Sequence, residues 1–277
     1  MTETVDAQVG FDSQYPLSAA QEADFQRDGQ ITLRELVSRD DLEPHRQSIL
    51  AATRASRPRV ATAEEGDVYA KAFSQYEHLW GRSAEVAKYT LSPRFADVAA
   101  RLLGVPAVRL YHDQALIKEG GGGHTPWHQD MHYWPLDTDR AITMWMPLVD
   151  VTAEMGELVF ALGSHHLGEL GNLPISDRAD RAMEGVIADK QLSLRTTGDM
   201  RAGDASFHAA WTLHSAKPNV TEHRREVMTV IWYADGARVT EPANAGQRKD
   251  LETWLPGCRP GDLARSDMNP LVSRGPA

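Results

Sequence analysis

Six short strand-like segments between residues 107 and 235 constrain the fold of this chain more than any other sequence feature. Clusters of Gly, Pro, Asn and Asp separate them, as turns separate consecutive strands. In the second segment Ile142 and Met144 alternate with Thr143 and Trp145, which is the period of a strand and not of a helix. Many short strands of this kind predict a β-sandwich or barrel. The segments are 107–119, 141–152, 156–163, 191–197, 203–216 and 225–235.

Helical patterns precede the strands. Residues 18–53 contain two of them around the extended piece GQITL, with Ser18 and Asp40 as expected N-caps. A further helical region is broken by Pro93 and closed by Gly104. Helices followed by many strands predict a sheet structure with a helical layer on one side.

The 277 residues predict one folded domain, since β-sandwiches and barrels of this size often form a single unit. We expect residues 1–16 to be a mobile lead and residues 17–277 to form the domain. The tail from about residue 236 is rich in Gly, Pro and Arg and is expected to be irregular.

Charge narrows the class of partner. The formal net charge is −10 and the pI is near 5.5, so the protein repels phosphate groups. We therefore expect no nucleic acid and no membrane partner. A small organic substrate is easier to accommodate. Cys258 is the only cysteine, which excludes an intrachain disulfide. Because the chain lacks a signal-peptide pattern and a long apolar run, we expect a cytoplasmic protein.

The stretch HTPWHQDMHYWP places His124, His128 and His132 at intervals of four residues. In a helix these side chains would share one face, as in the zinc proteases. However, Gln129 stands where those enzymes have a basic glutamate, and four glycines together with Pro126 disfavour a helix at this point. We therefore expect the stretch to be extended.

In a strand, His128 and Asp130 point to one side and Gln129 points to the other. A third ligand must come from elsewhere, and His214 is the best candidate because it closes the segment 203–216 before a Pro-Asn turn. Two histidines and one carboxylate leave three metal positions open, which is the arrangement of non-heme Fe(II) oxygenases. We interpret His124 and His132 as substrate-side candidates.

The open positions suit dioxygen and a bidentate organic acid, whose distal carboxylate needs a cation. Arg225 follows His214 by 11 residues and opens a segment that we expect to pair beside the strand ending at His214. Arg224 would face the other way. His208 is expected on the same strand as His214, in the core or beside a ligand.

Together these motifs resemble the phytanoyl-CoA dioxygenase (PhyH) family of Fe(II)/2-oxoglutarate-dependent oxygenases, over about residues 17–262. The resemblance implies a double-stranded β-helix, or jelly roll, with helices at its N-terminal end. The matching stretches are LSAAQEADFQRDGQITL, YHDQALIKEGGG, PWHQDMHYWP, AITMWMPLVDVTAEMGELVFALGSHH and GDASFHAAWTLHSAKPN with RREVMTV.

The resemblance also implies roles for individual residues. It assigns His128, Asp130 and His214 to iron and Arg225 to the C5 carboxylate of 2-oxoglutarate. The matching positions for the cosubstrate pocket are Gln114, Trp145 and Lys118.

One position departs from the family pattern. Relatives often carry a hydroxyl two residues after the distal histidine, where it contacts the same C5 carboxylate. This chain has Ala216 there, and Ser215 is expected to face away.

The implied activity is C–H oxidation of a small molecule with Fe(II), 2-oxoglutarate and O2, in specialised metabolism. Hydroxylation, epimerisation, desaturation and carbocycle formation are all compatible with it. Asp130 disfavours halogenation, because related halogenases have a small residue at that position. Two rivals remain: a cupin-like metal hydrolase or isomerase, which has no need of Arg225, and a jelly-roll binding protein, which has no need of an intact triad. We expect residues 60–85 and 167–190 to cover the mouth of the site.

Overall fold

Two antiparallel sheets form the centre of the computed structural model, which describes residue 11 and residues 13–59, 72–171 and 175–274. The larger sheet has the strand order β1 (Gln30–Leu33), β8 (Ala205–Ala209), β5 (Ala141–Pro147), β10 (Arg225–Ala234), β3 (Ala107–Lys118) and β11 (Leu271–Arg274), with β2 (Ser74–Glu77) also paired to β3. The smaller sheet has the order β4 (Thr125–His128), β9 (His214–Ala216), β6 (Leu158–Ala161) and β7 (Leu194–Thr196).

Helices flank the sheets, as the sequence predicts. The α-helices are α1 (Ala19–Asp28), α2 (Arg39–Arg54), α3 (Ala84–Thr90), α4 (Pro93–Leu103), α5 (Asp177–Asp189) and α6 (Ala245–Trp254). Short 3-10 helices span Asp130–Tyr133, Ala153–Met155 and Ser164–Leu167.

Of the helices in the described ranges, none combines the length and apolar character that crossing a bilayer would require.

Local capping explains where the first helices begin. The Ser18 hydroxyl accepts the Gln21 N–H at 3.2 Å, and the Gln21 side chain accepts the Ser18 N–H at 2.9 Å, which completes a capping box. The prediction for Ser18 is confirmed. The prediction for Asp40 is wrong, because Ser38 caps α2 and Asp40 lies in its first turn, where a negative charge favours the helix dipole.

The main apolar core lies between the larger sheet and the helical layer. Met144 and Met146 of β5 are fully buried in this core, together with Val98 and Leu102 of α4. Trp145 faces the opposite way, toward the cavity between the two sheets. The period-two pattern in β5 therefore separates core residues from cavity residues.

The segment 203–216 differs from its prediction. It forms two strands in different sheets, β8 and β9, because a turn intervenes in which the Thr212 hydroxyl donates to the Gly29 carbonyl at 2.8 Å. His214 consequently opens β9 and does not close a strand. Arg225 begins β10, which lies between β5 and β3, so the expected pairing of its strand with the His214 strand is also wrong.

The tail from residue 236 contains regular structure that the sequence prediction misses. Asn244 caps α6 by accepting the Gln247 N–H at 2.8 Å, and β11 pairs with β3. Both Asn244 and Gln247 donate to the His132 carbonyl, at 3.1 and 3.2 Å. These contacts attach α6 to the 3-10 helix that follows β4.

Three predicted mobile or covering segments fall partly outside the described residues. In the lead 1–16, residues 1–10 and 12 lie outside them, whereas Phe11 packs against Phe95 with ring centroids 5.4 Å apart. In the predicted cover 60–85, residues 60–71 lie outside them, and in the predicted cover 167–190, residues 172–174 lie outside them.

Two glycines with the same backbone conformation provide a test of the packing around Gly203, just before β8 begins. Gly203 has φ +95° and Gly236 has φ +96°, but a Cβ at 203 would lie 2.2 Å from the Val37 carbonyl oxygen, while a Cβ at 236 would meet nothing within 4 Å. We expect Gly236→Ala to lower the free energy of unfolding by about 1–2 kcal/mol through backbone strain. Gly203→Ala should cost about 1–3 kcal/mol more, because the backbone of Val37 must move. Urea unfolding measures both, and equal losses would contradict the packing argument.

Candidate metal centre

Two histidines from neighbouring strands of the smaller sheet face each other. His128 ends β4 and His214 begins β9; the two are paired residues, with ring centroids 4.1 Å apart. Asp130 Oδ1 lies 3.6 Å from His128 Nε2 and 3.7 Å from His214 Nε2. The three ligand atoms all lie within 4.8 Å of one another, so the set could hold a metal ion.

Backbone carbonyls set the tautomer of both histidines. His128 Nδ1 lies 2.8 Å from the Pro126 carbonyl, and His214 Nδ1 lies 2.9 Å from the Thr212 carbonyl. Because a carbonyl only accepts, each Nδ1 carries the proton and each Nε2 presents a lone pair toward Asp130. Burial lowers the pKa of both imidazoles, most strongly for His214, which favours the neutral, metal-binding form.

Asp130 is held as a carboxylate. Thr143 donates its hydroxyl proton to Asp130 Oδ2 at 2.8 Å, and His208 Nε2 lies 3.2 Å from the same oxygen. Burial by itself would raise the pKa of Asp130, but His214, His208 and His128 together bring that pKa well below its usual range. Oδ1 is thereby left facing the two histidines. His208 lies beside a ligand, as expected, although it belongs to the other sheet.

The local backbone explains how His128 and Asp130, two positions apart in the chain, can face the same site. Gln129 is extended, with φ −119° and ψ 125°, so His128 and Asp130 point to the same side. The strand nevertheless ends at His128, and Asp130 begins a 3-10 helix, so the prediction that the whole stretch is extended is wrong. The Gln129 amide donates to the Gly168 and Trp211 carbonyls at 2.8 and 2.7 Å. Sequence reasoning gave this side chain no such role.

The structure does not bring His124 or His132 to the cavity. His124 Nε2 lies 3.3 Å from Asp180 Oδ2 on α5, and its side chain is 43% exposed. The His132 side chain is buried and meets the Tyr133 ring edge to face, with centroids 4.8 Å apart. Neither side chain lines the cavity that holds the triad.

Arg225 lies at the inner end of the same cavity and is only 1% exposed. Its Nη1 donates to the Gly156 carbonyl, and its guanidinium carbon lies 5.3 Å from the centroid of the Trp145 ring. Burial lowers its pKa to about 9. Within the described ranges Arg225 has no carboxylate partner at ion-pair distance.

Lys118 is the cross-strand partner of Arg225 and is fully buried. Its amine donates to the Gly123 carbonyl and, at 3.3 Å, to the Lys217 carbonyl, and it does not itself line the cavity. Burial and the neighbouring charge of Arg225 lower its pKa to about 7. Two buried cationic groups therefore adjoin at this end.

The cavity lies between the two sheets and encloses about 950 Å³, its open mouth included. Gln114 and Trp145 are in its wall, as the resemblance implies, and Gln114 accepts a hydrogen bond from Gln75. The sequence did not predict several other residues of the cavity wall. Two of them, Asp250 and Trp254, lie four residues apart on α6. This spacing is typical of one face of a helix, but the sequence analysis expected the tail to be irregular. The remaining unforeseen wall residues include Thr125, Tyr133, Trp134, Thr143, Ile175, Thr229 and Ile231.

Known proteins resemble this chain over most of its length. A family model described as phytanoyl-CoA dioxygenase (PhyH) matches residues 25–227. The ectoine dioxygenase of Sphingopyxis alaskensis is 26% identical over 286 residues, which cover 95% of this chain and 90% of that protein.

Solved structures with the same jelly-roll fold include two enzymes of nogalamycin biosynthesis. The non-heme alpha-ketoglutarate-dependent carbocyclase SnoK superposes with a TM-score of 0.78 at 22% identity, covering 93% of this chain and 97% of that one. The corresponding epimerase SnoN gives 0.74 at 24% identity, covering 91% and 97%. The predicted fold class is confirmed, and the chain belongs to the phytanoyl-CoA dioxygenase (PhyH) family.

Proposed function

We propose that this protein is an Fe(II)/2-oxoglutarate-dependent oxygenase whose reaction takes place in the cavity between the sheets. The observation that carries the proposal is the pairing of two features in one cavity. A histidine-aspartate-histidine set lies on one side, and the buried Arg225, without a carboxylate partner among the described residues, lies at the inner end. A buried cation of this kind needs an anion, and a keto diacid can supply one while binding a metal through its other end.

His128, Asp130 and His214 would hold the iron. Their chemistry fits Fe(II), since two neutral imidazoles and one carboxylate form the facial set that leaves positions open for a bidentate acid and dioxygen. The chemistry that the iron supplies when bound is the oxidative decarboxylation of 2-oxoglutarate, coupled to oxidation of a substrate C–H bond. Arg225 would orient the acid through its C5 carboxylate, and the Trp145 ring beside the guanidinium excludes water there.

The substrate would occupy the outer end of the cavity, where aromatic and acidic side chains meet. Trp134 and Trp254 line this end, and the His112 ring stacks on Trp254 with centroids 4.5 Å apart. The Tyr111 hydroxyl donates to Asp250 at 3.1 Å. Burial raises the pKa of Asp250 to about 8, so that this carboxyl is available as a hydrogen-bond donor near neutral pH.

We propose a small organic substrate and leave the outcome at the oxidised carbon among hydroxylation, epimerisation, desaturation and carbocycle formation. The relatives support this range, because one is named an ectoine dioxygenase and two others a carbocyclase and an epimerase. A cupin-like hydrolase would have no use for Arg225. The cytoplasmic location stays a prediction from the sequence.

The assignment can be tested without a substrate. Protein mixed anaerobically with Fe(II) and 2-oxoglutarate should develop the metal-to-ligand charge-transfer band in visible absorption. His128→Ala should abolish the band, whereas His124→Ala, in the same stretch but outside the cavity, should retain it. Arg225→Leu should raise the Kd for 2-oxoglutarate at least about tenfold by removing a charged hydrogen-bonding partner. Absence of the band in the wild type would refute the proposal.

The contact between Thr143 and Asp130 should support metal binding. We expect Thr143→Val to weaken Fe(II) affinity about ten- to a hundredfold, because it removes the donor that orients Asp130 Oδ2. Thr229→Val is the matched control, since Thr229 also lines the cavity but donates to the Gln114 carbonyl. Anaerobic titration with Fe(II) or Co(II) measures both, and equal affinities for the two variants would refute the role of Thr143.

The raised pKa of Asp250 has a consequence for stability. Between about pH 4 and pH 8 the folded protein keeps a proton on Asp250 that the unfolded chain releases, so this residue lowers stability as pH rises through that window. Asp250→Asn removes the effect. We expect the difference in free energy of unfolding between the variant and the wild type to shift in favour of the variant by at least about 1 kcal/mol from pH 5 to pH 8. Denaturant unfolding at the two pH values checks this, and a pH-independent difference would contradict it.

A further inference from the structure

His112 is a buried side chain of the cavity wall, and one of its ring nitrogens has no partner. The residue is 6% exposed and lines the cavity. Its Nδ1 lies 3.4 Å from the Asp113 carbonyl, and among the described residues this is the only hydrogen bond of the ring. Because a carbonyl only accepts, Nδ1 carries the proton and Nε2 is a hydrogen-bond acceptor. A buried acceptor without a partner costs stability, so its presence here points to a donor on a bound ligand.

A bulge in β3 brings Tyr111 and His112 to the same side of the larger sheet. The register of β3 against β10 shifts between Ile231 and Trp232, which leaves Tyr111 as an extra residue in β3. In a regular strand the side chains of two successive residues would face opposite ways. At the bulge both side chains instead contact α6.

These contacts with α6 fix the plane of the His112 ring. Trp254 stacks on the ring with centroids 4.5 Å apart and an interplanar angle of 24°. One helical turn earlier, Asp250 accepts the Tyr111 hydroxyl at 3.1 Å. The helix lies beyond residues 25–227, which the family model matches. His112 is therefore oriented by a part of the chain that the family match does not include.

His112 lies level with the metal centre and far from Arg225. It pairs with Ile231, which pairs on its other side with Thr143, whose hydroxyl donates to Asp130. Two strand spacings separate His112 from Thr143, which is about 10 Å. Arg225 lies opposite a position six residues further along β3, about 20 Å from His112. A group bound at His112 would therefore belong to the substrate and not to the distal end of 2-oxoglutarate.

The charge of the ring decides which groups it can accept. Burial lowers the pKa of His112 to about 4, so the imidazole is neutral near pH 7 and Nε2 offers only a lone pair. A hydroxyl or an ammonium group can donate to it. An ether or an ionised carboxylate cannot, because neither has a polar hydrogen.

We propose that His112 determines substrate specificity by accepting a hydrogen bond from a hydroxyl or ammonium group of the substrate. The feature that both groups share is a polar hydrogen, and a substrate of this enzyme carries one. The inference rests on the proposed function and deepens it by naming a class of substrate group. It assigns to His112 no role in binding the metal or 2-oxoglutarate.

The experiment uses three small probes on anaerobic protein that contains Fe(II) and 2-oxoglutarate. Phenethyl alcohol and benzyl methyl ether are isomers, but only the alcohol has a polar hydrogen, and phenethylamine offers an ammonium group. Titration calorimetry measures the Kd of each probe. We expect the ether to bind at least about fivefold more weakly than the tighter of the other two, because it leaves Nε2 without a partner. Equal Kd values, or no binding by either donor, would overturn the inference without any substitution.

Substitution of His112 tests the residue itself. His112→Phe keeps a flat ring against Trp254 and removes Nε2, so it should weaken the tighter donor probe about five- to thirtyfold. The Kd of the ether should change by less than about twofold. His78→Phe is the matched control, because the His78 ring also meets Trp254, with centroids 6.3 Å apart, but does not line the cavity. An equal loss for all three probes in His112→Phe, or the same loss in His78→Phe, would overturn the inference.

Asp250→Asn distinguishes the two kinds of donor. An ammonium group bound here would have the Asp250 carboxylate as its counter-ion, so the substitution should weaken phenethylamine at least about tenfold. A hydroxyl needs no counter-ion, and the Kd of phenethyl alcohol should change by less than about threefold. Tighter binding of the amine together with this loss identifies an ammonium group, and tighter binding of the alcohol identifies a hydroxyl. Either result supports the role of His112, since both donors require Nε2.

The charge-transfer band of the same samples separates this inference from the proposed function. His112→Phe should leave the Kd for 2-oxoglutarate within about threefold of wild type, because His112 lies far along β3 from Arg225. A parallel loss of 2-oxoglutarate binding would indicate a collapsed cavity and count against the inference. Absence of the band in the wild type would instead reject the proposed function. A band in the wild type, with probe binding that does not depend on His112, rejects only the role of His112.

Discussion

The pairing of β4 with β9 is the constraint on which the rest of the site depends. It places His128 opposite His214, residues 86 positions apart in the chain, with their rings in contact. Asp130 then reaches both imidazoles because a single extended residue separates it from His128. Thr143 holds the second oxygen of this carboxylate from the larger sheet. The three side chains proposed to hold the metal are thus oriented by protein contacts alone, which is the preorganisation that a tight metal site requires.

Opposite charges divide the cavity. Near the triad the carboxylate of Asp130 is stabilised by imidazoles, whereas at the inner end Arg225 and Lys118 adjoin as buried cations. Burial lowers the pKa of both cations, so a bound carboxylate would relieve a desolvation cost already present in the fold. The chain carries a net charge of −10, yet it concentrates positive charge at this depth.

Local periodicity predicted the parts of the site that lie within one extended segment. His128 and Asp130 lie on the same side because Gln129 keeps strand geometry, whereas the place of Trp145 in the cavity wall was implied by the family resemblance. Local periodicity could not predict which strands pair when they are distant in the chain. A turn tied to Gly29 through Thr212 sends β9 into a different sheet from β8, and no periodic signal marks that exchange. Sequence spacing does not reveal the bulge in β4 either, by which Thr125 pairs with Ala216 while His128 pairs with His214.

Two helices also contact the segment that carries His128 and Asp130. Asp180 of α5 accepts the Trp127 N–H inside the β4 bulge, and the same carboxylate lies 3.3 Å from His124. On the other side, α6 donates two hydrogen bonds to the carbonyl of His132, in the 3-10 helix that starts at Asp130. The two helices thus hold the segment from Trp127 to His132 from both ends. Because both helices contact this segment, a change in either one would also alter the position of His128 and Asp130, the residues proposed to hold the metal.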